Sequence, residues 1–214
     1  MFITIEGLDF SGKSTQAKRL VEKLRASALP GDDRIRPVQF IREPGGSTIS
    51  ERLREILLDR KNLELTDVAE LLLFSASRAQ VVQQVIRPAL RRGEHVLCDR
   101  YVDSTTAYQG YGRGLALDSV RQINRFATSG LVPDITILVE ITPDEILHRK
   151  ERAGIAFDRM ENSGKEFYER VLNGYSEIAS LEPGRFLVVD GMAPVENVEQ
   201  KIWNALQLRG RTKP

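Results

Sequence analysis

Four residues near the start of the chain, Gly7, Gly12, Lys13 and Ser14, fall at the spacing GxxxxGK[ST] within the stretch EGLDFSGKST at 6–15. That spacing suits one kind of chemistry, the cradling of a nucleoside triphosphate. Glycine permits positive φ, and the lack of side chains lets the successive N–H groups of Leu8, Asp9, Phe10 and Ser11 curl around an anionic phosphate. The start of a following helix, where Thr15 lies, adds unpaired N–H groups and the positive end of a dipole. Lys13 supplies a mobile cation for the β- and γ-phosphates, and the Ser14 hydroxyl is placed to ligand the magnesium that travels with them.

Such a loop needs a strand before it and a helix after it. The run Phe2-Ile3-Thr4-Ile5 precedes it and a helical pattern at 16–28 follows. A second short strand at 36–41 runs into Arg42-Glu43-Pro44-Gly45-Gly46-Ser47. In an open parallel sheet, ligands bind at the carboxyl ends of strands, so this loop should face the same crevice. Pro-Gly-Gly reads as a turn alone, or Arg42 reads as an anion ligand carried by it. A third strand, 95–98, ends in Asp99-Arg100-Tyr101. A carboxylate there suits a hydrated magnesium ion, with Arg100 projecting into the crevice; an ion pair that merely ends the strand is the alternative.

Between these strands lie helical patterns at 47–59 and from Thr66, a candidate N-cap, towards Pro88 and the basic end at 91–93. Phe74 and Arg78, four residues apart, share one face of the longer helix. They read either as an aromatic surface beside a five-donor cation or as a core phenylalanine beside a solvated arginine. Ser104, Thr105, Tyr108 and Gln109 sit in a cluster of small hydrogen-bonding residues, the kind of wall that a polar planar ligand requires. A glycine-rich loop at 110–114 leads to a helix at 117–129 and a strand at 135–140. The next helix opens at Thr142-Pro143-Asp144, carries Arg149 and Arg152, and breaks at Gly154. The polar segment 154–164, centred on Asp158-Arg159-Met160-Glu161, reads as a hinged lid or as a solvated loop. A helix at 165–181, a strand at 185–189 and a helix at 195–208 complete the pattern.

Composition narrows the partners. The 214 residues carry a formal net charge of +1 and no polybasic run, which gives no support to a nucleic-acid or membrane-surface partner. The single cysteine, Cys98, lies in an apolar run and is expected in the core. Without a signal-peptide pattern or an apolar run of membrane-spanning length, the expected location is cytoplasmic. His95 and His148, the only histidines, read as a strand-edge and a helix-surface residue rather than as acid–base catalysts.

Taken in order, these stretches resemble the thymidylate kinase family, phosphate-loop enzymes that phosphorylate dTMP with ATP. The resemblance rests on EGLDFSGKSTQ at 6–16, REPGG at 42–46, LLLFSASR at 71–78, DRYVDSTTAYQG at 99–110, LVPD at 131–134 and DRME at 158–161. It implies an α/β phosphate-loop NTPase fold with a parallel sheet between helices, one domain over 1–214 with a lid at about 149–164, and ATP with Mg2+. It further implies that Phe74 stacks on thymine, Arg78 bonds its O4, Thr105 meets the base edge, and Tyr108 lies where a 2′-hydroxyl would sit. Asp9 would approach the 3′-hydroxyl and acceptor phosphate, Arg42 and Arg100 would bind that phosphate, and Ser104 and Gln109 would join the substrate set. Lys13, Asp9, Arg100, Arg149 and Arg152 would form the catalytic group, Ser14 and Asp99 the metal site. A homodimer joined through helices, with the helix from Thr66 at the interface, is the expected assembly.

One position departs from the family. Its members tend to carry an arginine where Phe10 stands, or a glycine there with arginines in the lid. Phe10 brings no charge, so the duty should pass to Arg149, Arg152 and Arg159, and the backbone of the loop is in question. The alternatives are a kinase of the same fold acting on another nucleoside or nucleoside monophosphate, and a nucleotide-dependent switch. The first is opposed by the set Phe74, Arg78, Thr105 and Tyr108, the second by the lack of an NKxD motif.

Overall fold

Short, nearly continuous apolar runs such as FITIE and HVLCD become strands buried on both faces, and the amphipathic segments between them become the helices that cover those faces. The computed structural model describes residues 1–30, 32–153 and 164–211. Its elements are β1 (Phe2–Glu6), α1 (Lys13–Ala26), β2 (Val38–Arg42), α2 (Thr48–Leu58), α3 (Asp67–Val81), a π-helical turn (Val82–Ile86), α4 (Arg87–Arg91) and β3 (His95–Asp99). They continue with α5 (Val102–Thr105), a second π-helical segment (Thr106–Gly112), α6 (Leu117–Thr128), β4 (Ile135–Glu140), α7 (Pro143–Ala153), α8 (Lys165–Leu181), β5 (Phe186–Asp190) and α9 (Val195–Arg211).

The five strands pair in parallel in the order β2-β3-β1-β4-β5. The chain leaves β1 for β2 and β3 on one side, then crosses to β4 and β5 on the other. The connection therefore reverses beside β1, and the crevice opens at the carboxyl ends of β1 and β3. Alternation along β1 splits the core: Ile3 and Ile5 pack with Leu20 and Leu24 of α1 and Ile202 and Leu206 of α9. On the other face, Phe2, Val96 and Cys98 pack with Val81, Val82 and Ile86. Leu138 of β4 meets Val171 and Tyr175 of α8. Cys98 is a buried core thiol, as expected.

Thr66 caps α3 as the sequence suggests, its side chain accepting from the Ala69 N–H at 3.3 Å. The helical path then continues past Pro88, by widening. Arg87 N–H bonds the carbonyl of Val82, five residues back, and Pro88 follows in the first turn of α4, where no N–H is required. Most of the expected glycine-rich loop is instead the end of the second π-helical segment. A Cβ on Gly112 would stand 2.7 Å from Phe167 of α8, so glycine is what allows the two helices to close. His95 corrects another expectation: it is buried at the start of β3, an interior strand, whereas His148 is exposed on α7. The expected lid centre, 158–161, lies outside the described residues. Among those that are described, no helix is long and apolar enough to cross a membrane.

Candidate active site

The loop between β1 and α1 is built as its glycines require. Gly7 and Gly12 have φ of 133° and 96°, and Gly12 leads directly into α1. Phe10 also adopts the left-handed region, at φ 63°, so its side chain does not prevent the loop from forming. Leu8 is buried, which leaves its backbone for the site; Ser14 and Thr15 are exposed at the start of the helix, and the Ser11 hydroxyl is buried without a hydrogen-bond partner among the described residues. Lys13 donates through Nζ to the Leu8 carbonyl at 3.2 Å and lies 3.6 Å from Asp9. Burial, with Arg100 close by, lowers the pKa of this ammonium.

Arg100, at the end of β3, has φ 71°. Its guanidinium bonds Asp9 Oδ1 at 2.7 Å, Ser104 Oγ at 3.1 Å and the Tyr108 hydroxyl at 3.3 Å. Burial opposes ionisation of Asp9, but Arg100 and Lys13 together outweigh it and hold the carboxyl well below the usual carboxylate range. Asp99 Oδ1 is buried with no hydrogen-bond partner among the described residues, and the Asp99 charge acts on Lys13. An unpaired carboxylate oxygen beside a phosphate loop fits a hydrated divalent cation. No cluster of three or more acidic, histidine or cysteine ligands occurs among the described residues, so such an ion would depend on Asp99, Ser14 and the phosphates.

From Asp9 and Arg100 a cleft extends along Ser104, Thr105, Tyr108 and Gln109 on one side and Phe74 and Arg78 of α3 on another. Glu43, Pro44, Arg54 and Leu58 close it. Phe74 is half-buried in the lining, while Arg78 is only 2% exposed, which rules out the solvated-arginine reading. Its Nε donates to Glu43 at 2.7 Å, Nη1 to Thr105 at 2.8 Å and Asn124 at 3.0 Å, and Nη2 to the Tyr101 carbonyl at 3.0 Å. Of its five N–H groups, one on Nη2 remains without a partner among the described residues. Gln109 gives its amide nitrogen to the buried Glu70 at 2.8 Å. That leaves its carbonyl oxygen to offer to the cleft.

Of the residues expected from sequence to bind the acceptor, Asp9, Phe74, Arg78, Arg100, Ser104, Thr105, Tyr108 and Gln109 line the cleft. Arg42 does not line it; it is exposed and paired with Glu51 at 3.1 Å. Arg149 bonds the carbonyls of Phe10 at 3.0 Å and Gly191 at 2.9 Å, against the phosphate loop, and Arg152 is exposed on the last turn of α7. Sequence reasoning missed Arg54, Tyr175 and the roles of Glu6 and Glu43. Glu43 was visible beside Pro44, and Glu6 beside Gly7, as charged residues in otherwise apolar or turn-forming runs. Arg54 and Tyr175 sit on amphipathic helices with no local signal.

A phosphate loop at one end of a cleft, and an aromatic and hydrogen-bonding wall at the other, define a class: a phosphate-loop phosphotransferase with a separate site for a small acceptor. A family profile described as Thymidylate kinase matches residues 5–202. The thymidylate kinase of Chlorobaculum parvum is 47% identical over 97% of this chain and 95% of its own. That of Deinococcus radiodurans is 46% identical over 98% of both. The crystal structure of thymidylate kinase from Ehrlichia chaffeensis superposes with a TM-score of 0.77 at 34% identity, covering 97% of this chain and 98% of the other. The chain belongs to the thymidylate kinase family.

Proposed function

We infer that this chain transfers the γ-phosphoryl group of ATP to dTMP, giving dTDP and ADP. The observation that carries this reading is one continuous cleft that joins Asp9 of the phosphate loop, through Arg100, to the base-sized wall of Phe74, Arg78, Thr105, Tyr108 and Gln109.

In the reaction, a phosphate oxygen of dTMP forms a bond to Pγ as the bond from Pγ to the β-phosphate oxygen breaks. No side-chain nucleophile is needed; positioning and charge neutralisation do the work. The loop N–H groups from Gly7 to Thr15 hold the donor phosphates, and Lys13 moves its ammonium from Leu8 and Asp9 onto them. Arg149 and Arg152 flank the donor side. Ser14 and Asp99 would hold Mg2+, which neutralises the phosphate oxygens when bound. Arg100 takes the acceptor phosphate, with Asp9 at the sugar 3′-hydroxyl. Phe74 stacks on the base, the free Nη2 N–H of Arg78 meets O4, Thr105 and Gln109 read the base edge, and Tyr108 crowds the position of a 2′-hydroxyl. Ser104 supports Arg100. Arg54 is the third arginine lining the acceptor cleft, beside Arg78 and Arg100; Arg42 joins only by leaving Glu51.

The chain is read as one domain over 1–214 that works in the cytoplasm on ATP and dTMP, as a homodimer. Val68 and Leu72 of α3, Ile56 of α2 and Phe126 of α6 are large exposed apolar residues that suit a helical interface. Sedimentation of wild type and Leu72→Glu tests this, and a monomeric wild type overturns it.

The function is tested by ADP release with ATP and Mg2+ across dTMP, dUMP, TMP with a ribose sugar, dCMP, AMP and thymidine. A clear preference for dTMP is expected. Equal rates with dCMP or AMP, or no transfer to any acceptor, would sink the assignment.

A further inference from the structure

Glu6 ends β1, is fully buried, and does not line the cleft. Its carboxylate nevertheless gathers three donors from around Arg100. Oε1 accepts the Tyr101 N–H at 2.7 Å; Oε2 accepts the Tyr175 hydroxyl at 2.9 Å and the Ser104 hydroxyl at 2.5 Å. The first of these holds the amide that follows Arg100, whose left-handed φ of 71° is uncommon for a non-glycine residue and persists where surrounding bonds over-determine it. The other two set proton directions. A hydroxyl has one proton, so once Ser104 and Tyr175 have given theirs to Oε2, both oxygens present only lone pairs to the guanidinium, which can only donate. Arg100 Nη1 bonds Ser104 Oγ at 3.1 Å and the Tyr175 hydroxyl at 3.5 Å, and its Nη2 goes on to Asp9.

We propose that Glu6 is a positioning residue for the acceptor site: by fixing the backbone after Arg100 and the donor direction of Ser104 and Tyr175, it aims the Arg100 guanidinium at the acceptor phosphate. This rests on the reading of the cleft as a dTMP site. A second possible role for Glu6 has the opposite sign. As a bare negative charge near Arg100 it would weaken phosphate binding, so neutralising it would tighten dTMP; as a positioning group, its loss weakens dTMP.

Glu6→Gln separates the two. Glutamine keeps an oxygen for the Tyr101 N–H but turns an NH2 group towards Ser104 and Tyr175, which reverses both bonds. At pH 8, where the Glu6 carboxyl, pushed up to about 7 by burial, is ionised, and with dTMP and ATP varied separately in the full-length enzyme, the KM for dTMP should rise about tenfold, while the KM for ATP stays within about twofold. An unchanged or lowered dTMP KM in the folded variant overturns the proposal. Tyr175→Phe, which removes one hydroxyl, should shift the dTMP KM in the same direction by less. If Glu6→Gln does not fold, as judged by circular dichroism, an unchanged dTMP KM in Tyr175→Phe overturns the proposal instead. Wild type run beside them separates the two failures. Transfer to dTMP by wild type with wild-type KM in the variants removes only the role of Glu6; failure of wild type on dTMP removes both readings.

Discussion

Arg149 of α7 donates through Nη1 to the carbonyl of Phe10, at 3.0 Å, across 139 residues of chain. Phe10 is the residue with no charge to offer, and its φ of 63° belongs to the left-handed region. Its carbonyl is nonetheless a fixed acceptor for an arginine that also grips Gly191 and Glu145. The loop position that carries no charge is thus bound through its backbone by an arginine from α7. Arg149→Ala removes the charge-assisted bond that holds the loop at Phe10, together with the one to Gly191, and kcat/KM for ATP should fall by about tenfold to a hundredfold with the dTMP dissociation constant little changed. Steady-state kinetics and dTMP calorimetry check this, and a selective loss of dTMP binding would move Arg149 to the acceptor side.

Phe74 is half-buried and borders the cleft, packed against the cluster around Tyr108 and Phe167. Phe74→Ala should weaken dTMP binding by ~1–3 kcal/mol, the range of a base–aromatic stack. Calorimetric titration with dTMP reads it directly. An unchanged dissociation constant would place the base elsewhere.

Arg78 does more for the fold than a base-reading arginine need do. Its partner Glu43 is 3% exposed, burial raises its pKa against the pull of Arg78, and one of its oxygens has no hydrogen-bond partner among the described residues. Arg78→Met should therefore cost about 3–5 kcal/mol of unfolding free energy by leaving a buried carboxylate uncompensated. Combining it with Glu43→Gln should restore part of that loss in urea titrations. A double variant no more stable than Arg78→Met alone would show that the loss comes from Thr105, Asn124 and Tyr101 rather than from the charge.

Burial, reinforced by Asp103, pushes the Glu6 carboxyl from 4.5 up to about 7. Between those two values the folded chain holds a proton that the unfolded chain has released. The stabilising contribution is complete below the unfolded value and is lost as the pH rises through the folded one. Glu6→Gln lacks this slope, so its stability relative to wild type should improve from pH 5 to pH 8. His95, whose pKa burial lowers to about 4, loses its contribution as the pH falls, but equally in both proteins. Urea midpoints at the two pH values decide the matter, and an identical difference at both would refute the shift.

The legible parts of this chain were the ones whose physics is local. A glycine spacing dictates a loop, alternation and apolar runs dictate strands, and Thr66 caps its helix with a neighbour three residues on. Thr105, Tyr108 and Gln109 could be nominated because small hydrogen-bonding residues cluster in one short window, and Phe74 because Arg78 follows it four residues later on one helix face. Arg42, nominated from its loop at the carboxyl end of a strand, stands outside the cleft, held by Glu51. Arg54, one of the residues that close the cleft, looks like any polar position of an amphipathic helix.

By itself, then, the sequence determined the phosphate loop, the α/β class, the succession of strands and the family resemblance, because each depends on residues near one another in the chain. Only the tertiary structure decided that Arg78 is buried on Glu43, that Arg149 bonds the carbonyl of Phe10, and that Glu6, Ser104 and Tyr175 meet around Arg100. Those contacts join residues 35 to 169 positions apart. Their geometry follows from the parallel register of the strands and the packing of α8 against the second π-helical segment, which no short window of sequence contains.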